Sequence, residues 1–342
     1  ELVASGTGWT LDADGTLTIE SDAGMADWCS LREDKFYIHP HASKVITVEI
    51  ADGVTTIGQN AFMRCTNMPG ITLPQSVTSI GKSAFQSSGL TSIVIPENVV
   101  SWEKNVFLNC TALKSVRIPS GITSIEESVF CGCPSLETLE IPENVTEIGR
   151  DAFQGCSSLH DITIPGKVTS IGEGAFYKCS GLENIIIPAS VTSIGRGAFD
   201  SCSNLTDITF SEGIAITRIE EGLFVGCTAL ETIAFPLSVT SIGGAAFGDC
   251  SSLSSIEIPD GVTSIERETF YGCSSLTEIT IPSGVTSIER ETFYGCSSLT
   301  EITIPSGVTD IGYCAFYGCS SLTEITIPSG VTDIGYYAFY GC

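Results

Sequence analysis

Apolar positions recur along this chain with a period of about 23 residues. The clearest markers are the phenylalanines Phe62, Phe85, Phe107, Phe130, Phe153, Phe176, Phe199, Phe224, Phe247, Phe270, Phe293, Phe316 and Phe339. Ten of the twelve intervals between these marker phenylalanines are equal, one is shorter by a single position, and one is longer by two. A fixed period of this length is typical of stacked repeats. The pattern therefore predicts a solenoid rather than a set of conventional globular domains.

Within one copy, the polar and apolar positions predict short strands joined by turns. Leu159, Ile162 and Ile164 have the L-x-x-L-x-L spacing, and the two isoleucines alternate with polar residues as a half-buried strand requires. Pro165 lacks an amide donor and limits that strand to a few residues. A second extended piece follows, and a turn or a single helical turn closes the copy. Because one copy cannot bury these positions alone, we predict that equivalent side chains stack on one another.

The two irregular intervals fall in predicted turns. The short interval, from Phe85 to Phe107, lacks one position between Phe85 and Leu90. The long interval, from Phe199 to Phe224, contains two extra residues near Gly213. Loops tolerate changes in length that strands do not. The irregular copies therefore support the same register as the regular ones.

The repeat resembles a known family. Residues 273–288 read Cys-Ser-Ser-Leu-Thr-Glu-Ile-Thr-Ile-Pro-Ser-Gly-Val-Thr-Ser-Ile, which is similar to the BspA-like (Treponema pallidum-type) leucine-rich repeat. The resemblance implies a leucine-rich repeat solenoid with a parallel β-sheet of short strands and a layer of turns or short helices, in about thirteen coils. It also implies a bacterial protein that is secreted or on the cell surface, where some family members bind host matrix proteins or other cells.

Two regions are expected along the chain. Residues 45–342 form the solenoid, which stops in the middle of a repeat, and residues 1–44 form a β-rich capping segment. Residues 9–19 read as a hairpin around an Asp-Gly turn. The packing surface of the cap is expected to come from Trp28, Phe36, Tyr37 and Ile38. Because the first residue is Glu1, we expect any targeting signal to lie outside this chain.

Charge and hydropathy exclude two classes of partner. The formal net charge is −25, from 15 Lys and Arg against 40 Asp and Glu. Such a chain is repelled by phosphate backbones, so no nucleic-acid partner is expected. No apolar run approaches the ~20 residues that cross a bilayer, so no membrane insertion of this segment is expected.

Fifteen cysteines invite a disulfide interpretation, but their positions favour another. Twelve lie at the third position after a marker phenylalanine: Cys65, Cys110, Cys133, Cys156, Cys179, Cys202, Cys227, Cys250, Cys273, Cys296, Cys319 and Cys342. In a stack, these side chains point the same way, which does not suit the perpendicular torsion of a disulfide. We predict small buried side chains whose S–H groups donate to turn carbonyls, with disulfides and metal binding as alternatives. Cys131 and Cys314 lie outside this column and are predicted to be exposed.

The sequence contains no catalytic signature. The three histidines, His39, His41 and His160, have no Ser or Cys partner nearby in the chain, and His39 and His41 have no evident third metal ligand. The Asp12-x-Asp14-Gly15 stretch lacks the further oxygen ligands of a calcium loop. We therefore predict no catalytic residue, no cofactor and no metal site, and a protein that is not an enzyme.

Two groups of surface residues are candidates for binding a partner. Six lie on the outward face of the strands: Glu278, Glu301, Glu324, Thr280, Thr303 and Thr326. Four follow a marker phenylalanine: Tyr271, Tyr294, Tyr317 and Tyr340. The acidic column is either a solvated face copied by recent duplication or a surface for a basic partner or a cation. The tyrosines either pack across the turn layer or contact a protein or a glycan.

The leading functional hypothesis is an adhesion or protein-interaction module that binds a protein partner through the solenoid surface. Residues 266–286 and 289–309 are identical, which suits an extended repetitive surface better than an asymmetric pocket. The alternatives are a structural stalk that presents another domain, and a glycan-binding surface built on the tyrosine column.

Overall fold

The computed structural model describes residues 1–31 and 39–342, which fall into two compact units, Glu1–Val168 and Thr169–Cys342. Three predicted packing residues of the cap, Phe36, Tyr37 and Ile38, lie outside the described residues. Each unit is built from stacked coils, one for each copy of the sequence repeat.

The first unit contains one α-helix, one short 3-10 helix and twelve strands among its described residues. The helices are α1 (Asp22–Ser30) and the 3-10 turn Ala42–Lys44. The strands are β1 (Leu2–Gly6), β2 (Trp9–Asp12), β3 (Thr16–Ile19), β4 (Thr47–Ile50), β5 (Thr56–Ile57), β6 (Ser79–Ile80), β7 (Ser92–Val94), β8 (Ser101–Trp102), β9 (Ser115–Arg117), β10 (Ser124–Ile125), β11 (Thr138–Leu139) and β12 (Glu147–Ile148).

The second unit consists of strands and turns. Its strands are β13 (Ser170–Ile171), β14 (Asn184–Ile187), β15 (Ser193–Ile194), β16 (Asp207–Phe210), β17 (Arg218–Ile219), β18 (Ser241–Ile242), β19 (Ser264–Ile265), β20 (Glu278–Thr280), β21 (Ser287–Ile288), β22 (Glu301–Thr303), β23 (Asp310–Ile311) and β24 (Asp333–Ile334).

Strands of successive coils pair in parallel with equivalent residues opposite each other. In the first unit Ser115 lies opposite Thr138, and in the second Glu278 lies opposite Glu301. In a coil, one strand follows the Leu position and joins one parallel sheet. A second, shorter strand joins another parallel sheet. The predicted leucine-rich repeat solenoid with short parallel strands is therefore confirmed. Between these strands the chain forms turns, and among the described residues no helix occurs within the coils.

The first sheet is interrupted in some coils. Residues 161–163 and 324–326 form no strand, and residues Ala234 and Glu257 make only an isolated parallel bridge. In the first of these coils Ile162 and Ile164 are still buried, whereas Ile327 in the coil of residues 324–326 is 37% exposed. Burial of the alternating side chains therefore survives irregular backbone pairing at residues 162 and 164 but not at residue 327.

The phenylalanines form a continuous stacked column inside each unit. Neighbouring ring centroids lie 5.5 Å apart from Phe62 to Phe85, and 5.3 Å apart from Phe293 to Phe316. The backbone is also hydrogen-bonded here, because the Phe293 amide donates to the Ala315 carbonyl of the next coil at 2.8 Å. The prediction that like side chains stack on like is confirmed, and offset aromatic stacking adds to the burial of these rings.

The irregular coils keep this stacking. Across the long interval the Phe199 and Phe224 centroids are 5.9 Å apart, and across the short interval the Phe85 and Phe107 centroids are 5.5 Å apart. The extra residues follow a turn at Gly213, where φ is +85° and a side chain would meet nothing within 4 Å. The length changes are therefore absorbed in open turns, as predicted.

Each turn passes through left-handed backbone close to the phenylalanine. One such position is the second after the ring: examples are Gly295 at φ +73°, and Lys178 at φ +60° in a copy without glycine. An L-residue in this conformation costs roughly 1–2 kcal/mol, which glycine avoids. The abundance of glycine at this position therefore has a backbone cause.

This geometry gives a stability prediction. We expect Gly295→Ala to lower the free energy of unfolding by about 1 kcal/mol, because the added Cβ meets only ordinary contacts (Gly272 Cα at 3.7 Å) and the cost is conformational. The matched control is Gly307→Ala, where φ is outside the left-handed region and the nearest atom is 3.7 Å away. Urea titrations should show a loss for the first variant and little change, or a small gain, for the second. Equal effects would contradict the left-handed assignment.

The N-terminal segment packs on the first coil through a sheet and a helix. The predicted hairpin is confirmed, because β2 and β3 pair antiparallel, and β3 continues in parallel onto β4. The helix α1 was not predicted. Gly24 lies inside it and weakens its helix signal, although Ser21 caps its N-terminus by accepting from the Gly24 amide at 3.1 Å.

Tryptophan joins this helix to the repeat. The buried Trp28 indole N–H donates to the Ala61 carbonyl at 2.6 Å, beside the first phenylalanine of the column. The His39 ring stacks on Trp28 with centroids 3.4 Å apart. The Asp22 carboxylate accepts from the Thr55 amide and hydroxyl, both at 2.7 Å, and these hydrogen bonds lower the pKa of Asp22. The helix therefore covers the start of the coil stack with specific contacts.

Candidate interaction surfaces

The first surface is a groove over the outward face of the strands β7, β9 and β11. Its volume is about 910 Å³, and we call it the sheet-face groove. Its outward residues include Val94, which is 60% exposed, Arg117 and Thr138 on the strands, and Glu140 directly after β11. In a parallel pairing, successive coils place equivalent outward residues side by side, which is why these side chains line one surface.

Charge in the sheet-face groove is predominantly acidic. Arg117 forms an ion pair with Glu97 at 2.9 Å across successive coils, and both side chains remain more than half exposed. By contrast, Glu140, Glu143 and Asp161 form no ion pair within the described part of the chain. The exposed Arg117–Glu97 pair contributes little to stability. The three unpaired carboxylates are available to an approaching cationic group.

Sequence reasoning did not choose this groove. Arg117, Glu140 and Asp161 belong to the same outward columns as the predicted acidic column of the last copies, but the pattern gave no reason to prefer them. Within the groove, Arg117 pairs with Glu97 of the preceding coil. That contact depends on side-chain conformation and not on the repeat period.

The predicted strand-face residues lie in the second unit. Glu278 is directly opposite Glu301, and Thr280 is directly opposite Thr303, in the pairing of β20 with β22. Glu324 and Thr326 follow in the next coil but lie outside any strand. The paired four form the exposed face expected from the sequence, and like charges directly opposite each other do not stabilise a sheet.

The predicted tyrosines form a stacked column in the second unit. Ring centroids are 4.8 Å apart from Tyr271 to Tyr294, 4.7 Å from Tyr294 to Tyr317, and 5.0 Å from Tyr317 to Tyr340. The tilt between neighbouring ring planes is 17° or less. The rings therefore present their edges outward, because their faces are covered by one another.

A depression of about 590 Å³ runs beside this column, and we call it the tyrosine groove. Its other lining residues are Glu291, Tyr313, Cys314 and Tyr337. Tyr337 packs edge-on against Tyr340 and against Tyr313, with interplanar angles of 85° and 83°. Burial of the ring and the neighbouring Tyr294 and Tyr340 raise the pKa of Tyr317. The Tyr317 phenol therefore stays protonated, and able to donate, at neutral pH.

The cysteine column is buried beside the phenylalanines. The Cys250 thiol donates to the Phe224 carbonyl of the preceding coil at 3.1 Å, and Cys273 donates to the Phe247 carbonyl at 3.2 Å. Burial raises the pKa of Cys250 to about 12. The predicted role as small buried S–H donors is confirmed by these contacts. The structure contains no disulfide among the described residues.

Cys131 and Cys314, two of the three cysteines outside the column, are less exposed than predicted. Cys131 is half-buried, with its thiol 3.4 Å from the Gln154 side-chain oxygen. The expectation that Cys314 is exposed is wrong, because it is only 4% exposed beneath the tyrosine groove. The four stacked tyrosines and Tyr313 supply bulk around it that the repeat pattern did not indicate.

Metal and membrane features can be stated for the described residues. No group of three or more His, Cys, Asp or Glu side chains in residues 1–31 and 39–342 is arranged to hold a metal ion. Asp12, considered for calcium, instead accepts hydrogen bonds from the Asp14 and Thr16 amides at 3.0 and 2.8 Å within the hairpin turn. None of the helices that the structure describes has both the length and the apolar character needed to cross a bilayer.

Comparison with known proteins identifies the repeat. The model of the BspA type leucine-rich repeat region matches residues 35–160, 123–254 and 217–342. A leucine-rich repeat protein from Bacteroides ovatus is 30% identical, with 84% of this chain and 74% of that chain covered and a TM-score of 0.73. A leucine-rich cell surface protein from Faecalibacterium prausnitzii is also 30% identical, with 97% and 96% covered and a TM-score of 0.52.

More distant likeness shows the fold alone. The pneumococcal vaccine antigen PcpA is 18% identical, with 99% of this chain and 86% of that chain covered and a TM-score of 0.53. No curated protein sequence matches this chain. Proteins of this fold are repeat scaffolds of the protein-interaction kind, typically without enzymatic activity. With the stacked phenylalanines, the paired short strands and the matched repeat model together, this chain belongs to the BspA-type leucine-rich repeat family.

Proposed function

We propose that this chain is a secreted or cell-surface adhesion module that binds host or neighbouring-cell proteins through the outer surface of its solenoid. The observation that carries the proposal is the sheet-face groove, which has a volume of about 910 Å³ and is lined by apolar and charged side chains. Concave surfaces with a few convergent polar groups are the usual form of a binding site. The relatives support the location, since one is named a cell surface protein.

The strand-face residues of the second unit extend the proposal. Glu278, Thr280, Glu301 and Thr303 form an exposed polar face whose opposed carboxylates are not explained by stability. We infer that this face, with Glu324 and Thr326 in the next coil, provides further contacts to a basic partner. Repeated equivalent contacts along one chain raise avidity without requiring a deep pocket.

The test is binding of purified extracellular matrix proteins to the immobilised chain. We expect at least one to bind at micromolar concentration, and Glu140→Lys to weaken binding by about 5- to 10-fold, because it reverses a charge inside the groove. The matched control is Glu147→Lys, which makes the same charge change at an exposed residue of β12 that does not line the groove. Absence of any bound protein would favour a structural stalk, and equal weakening by both variants would remove the groove from the proposal.

A further inference from the structure

We propose that the tyrosine groove is the docking site for an arginine-containing, cationic segment of a partner protein. The inference rests on the proposed function and names the chemistry of one contact. It concerns the turn layer of the second unit, where the tyrosine column, Glu291, Tyr313 and Tyr337 meet.

The tyrosine groove exposes more aromatic surface than the packing of its coils requires. Tyr337 is 60% exposed, Tyr313 is 48% exposed and Tyr340 is 58% exposed. The interior of these coils is already filled by the phenylalanine column, which is fully buried at Phe270 and Phe293. Because tyrosine combines apolar area with a hydrogen-bonding tip, an exposed cluster of it is typical of an interface.

The charge of this region selects a cationic occupant. From residue 291 to residue 342 the sequence contains no Lys, Arg or His, and five acidic residues. These are Glu291, Glu301, Asp310, Glu324 and Asp333. The nearest preceding cation, Arg290, is paired with Glu268. Glu291 lines the groove and has no ion pair in the part of the chain that the structure describes. The field here therefore attracts a positively charged segment and repels an acidic one.

The aromatic lining favours arginine over lysine. A guanidinium group is planar, stacks on a tyrosine face and donates through several N–H groups to a carboxylate or a phenol oxygen. Tyr313 and Tyr337 are suited to this contact because both side chains are exposed. The two rings meet edge-on, so parallel stacking between them does not cover their faces. Glu291 then supplies the carboxylate beside the stacked guanidinium. A lysine ammonium would gain the charge attraction without the planar stacking.

The inner rings of the tyrosine column offer no open face to a glycan. Recognition of a sugar by stacking needs an open aromatic face, and the inner faces of Tyr294 and Tyr317 are covered by their neighbours at 4.7–5.0 Å. What these two residues offer outward is a row of ring edges and hydroxyl groups. Such a row can donate to the backbone carbonyls of an extended peptide. Three ring intervals of about 4.8 Å correspond to four or five residues of extended chain at ~3.3 Å each.

The experiment uses the whole chain and short fluorescent peptides that are long enough to span the column. The three peptides alternate serine with arginine, with lysine or with glutamate, and anisotropy is read at about 0.15 M salt to suppress non-specific attraction. We expect the arginine peptide to bind about 3- to 10-fold more tightly than the lysine peptide, and the glutamate peptide not to bind.

Variants locate the contact. Tyr337→Ala and Glu291→Gln should each weaken the arginine peptide by about 3- to 10-fold. The matched control is Tyr177→Ala, which removes a tyrosine at the same repeat position as the column but outside the groove. Circular dichroism of each variant checks the fold, and Glu291→Gln, which keeps the side-chain shape, decides the matter if Tyr337→Ala is unfolded.

Several outcomes would overturn the inference. Equal affinity for the arginine and lysine peptides, with no effect of either groove variant, would show general charge attraction only. Equal weakening by Tyr177→Ala would place the contact elsewhere. Binding of neutral oligosaccharides in place of the peptides would assign the groove to glycans. If the chain binds a matrix protein but not the arginine peptide, only this inference is contradicted. If it binds the arginine peptide but no matrix protein, the proposed function is contradicted.

Discussion

Raising the pH from 8 to 10 is expected to destabilise both units strongly, because their buried thiols cannot ionise in place. Burial raises the pKa of Cys65, Cys202 and Cys250 to about 12, and that of Cys110 to about 11, against an ordinary value of 9.0. Cys319 is also raised to about 12, again chiefly by burial. These thiols remain protonated in the folded chain at pH 10, whereas the unfolded chain has released most of their protons.

The sign follows from this difference in bound protons. Between pH 9 and pH 12 the folded state holds more protons than the unfolded state, so the free energy of unfolding falls as the pH rises. The contribution is fully present below pH 9 and is lost progressively toward the folded pKa of about 12. Each thiol costs on the order of 1 kcal/mol at pH 10, so the three groups Cys202, Cys250 and Cys319 of the second unit together cost a few kcal/mol in a cooperative transition.

Urea denaturation at pH 8, 9 and 10 in the presence of a reductant measures this effect. The control is Cys250→Ser, because Ser88 already occupies the equivalent position of one coil and a hydroxyl does not titrate in this range. We expect the variant to lose about 1 kcal/mol less than the parent chain between pH 8 and pH 10. Identical unfolding midpoints at pH 8 and pH 10 would show that the thiols are not buried as described.

Replacing Phe293 by alanine is expected to lower the free energy of unfolding of the second unit by about 3–5 kcal/mol. Its ring is fully buried and lies 5.5 Å from Phe270 and 5.3 Å from Phe316. The neighbouring coils cannot easily close the cavity, because the Phe293 amide is hydrogen-bonded to the Ala315 carbonyl. The expected loss of stability therefore includes the transfer free energy of the buried ring and the cost of the cavity that it leaves.

The adjacent residue provides the control. Tyr294→Ala removes a ring of similar size from the same turn, but this ring is only half-buried, and its loss should cost about 1 kcal/mol. Urea unfolding of the two variants at pH 7 compares them directly. Equal losses would mean that the phenylalanine column is not the core of the unit.

The repeat period allowed the fold to be predicted in detail. Once Phe270 and Phe293 are known to hold the same position in successive, nearly identical copies, a solenoid makes them neighbours, and their ring centroids indeed lie 5.5 Å apart. The same logic gave the buried Cys250 and Cys273 and the opposed Glu278 and Glu301. It failed for α1, because residues 22–30 lie outside the repeat and Gly24 weakens the local helix signal.

The candidate surfaces were only partly predictable. The tyrosine column was recognised from spacing, but the sequence left open whether its rings would face a ligand or each other. The buried Cys314 was misjudged for the same reason, since its exposure depends on how Tyr313 and the column fill the space around it. The Arg117–Glu97 contact that marks the sheet-face groove had no signal in the pattern.

The sequence by itself determined which residues are neighbours: the repeat, its register and the membership of each column. It could do so because a fixed period makes every residue contact its equivalent in the next coil. Only the tertiary structure decided how the exposed side chains lie, which tyrosine faces are covered, and which outward columns enclose a groove. Those properties depend on rotamers and on contacts between columns, and the spacing of residues along the chain does not constrain either.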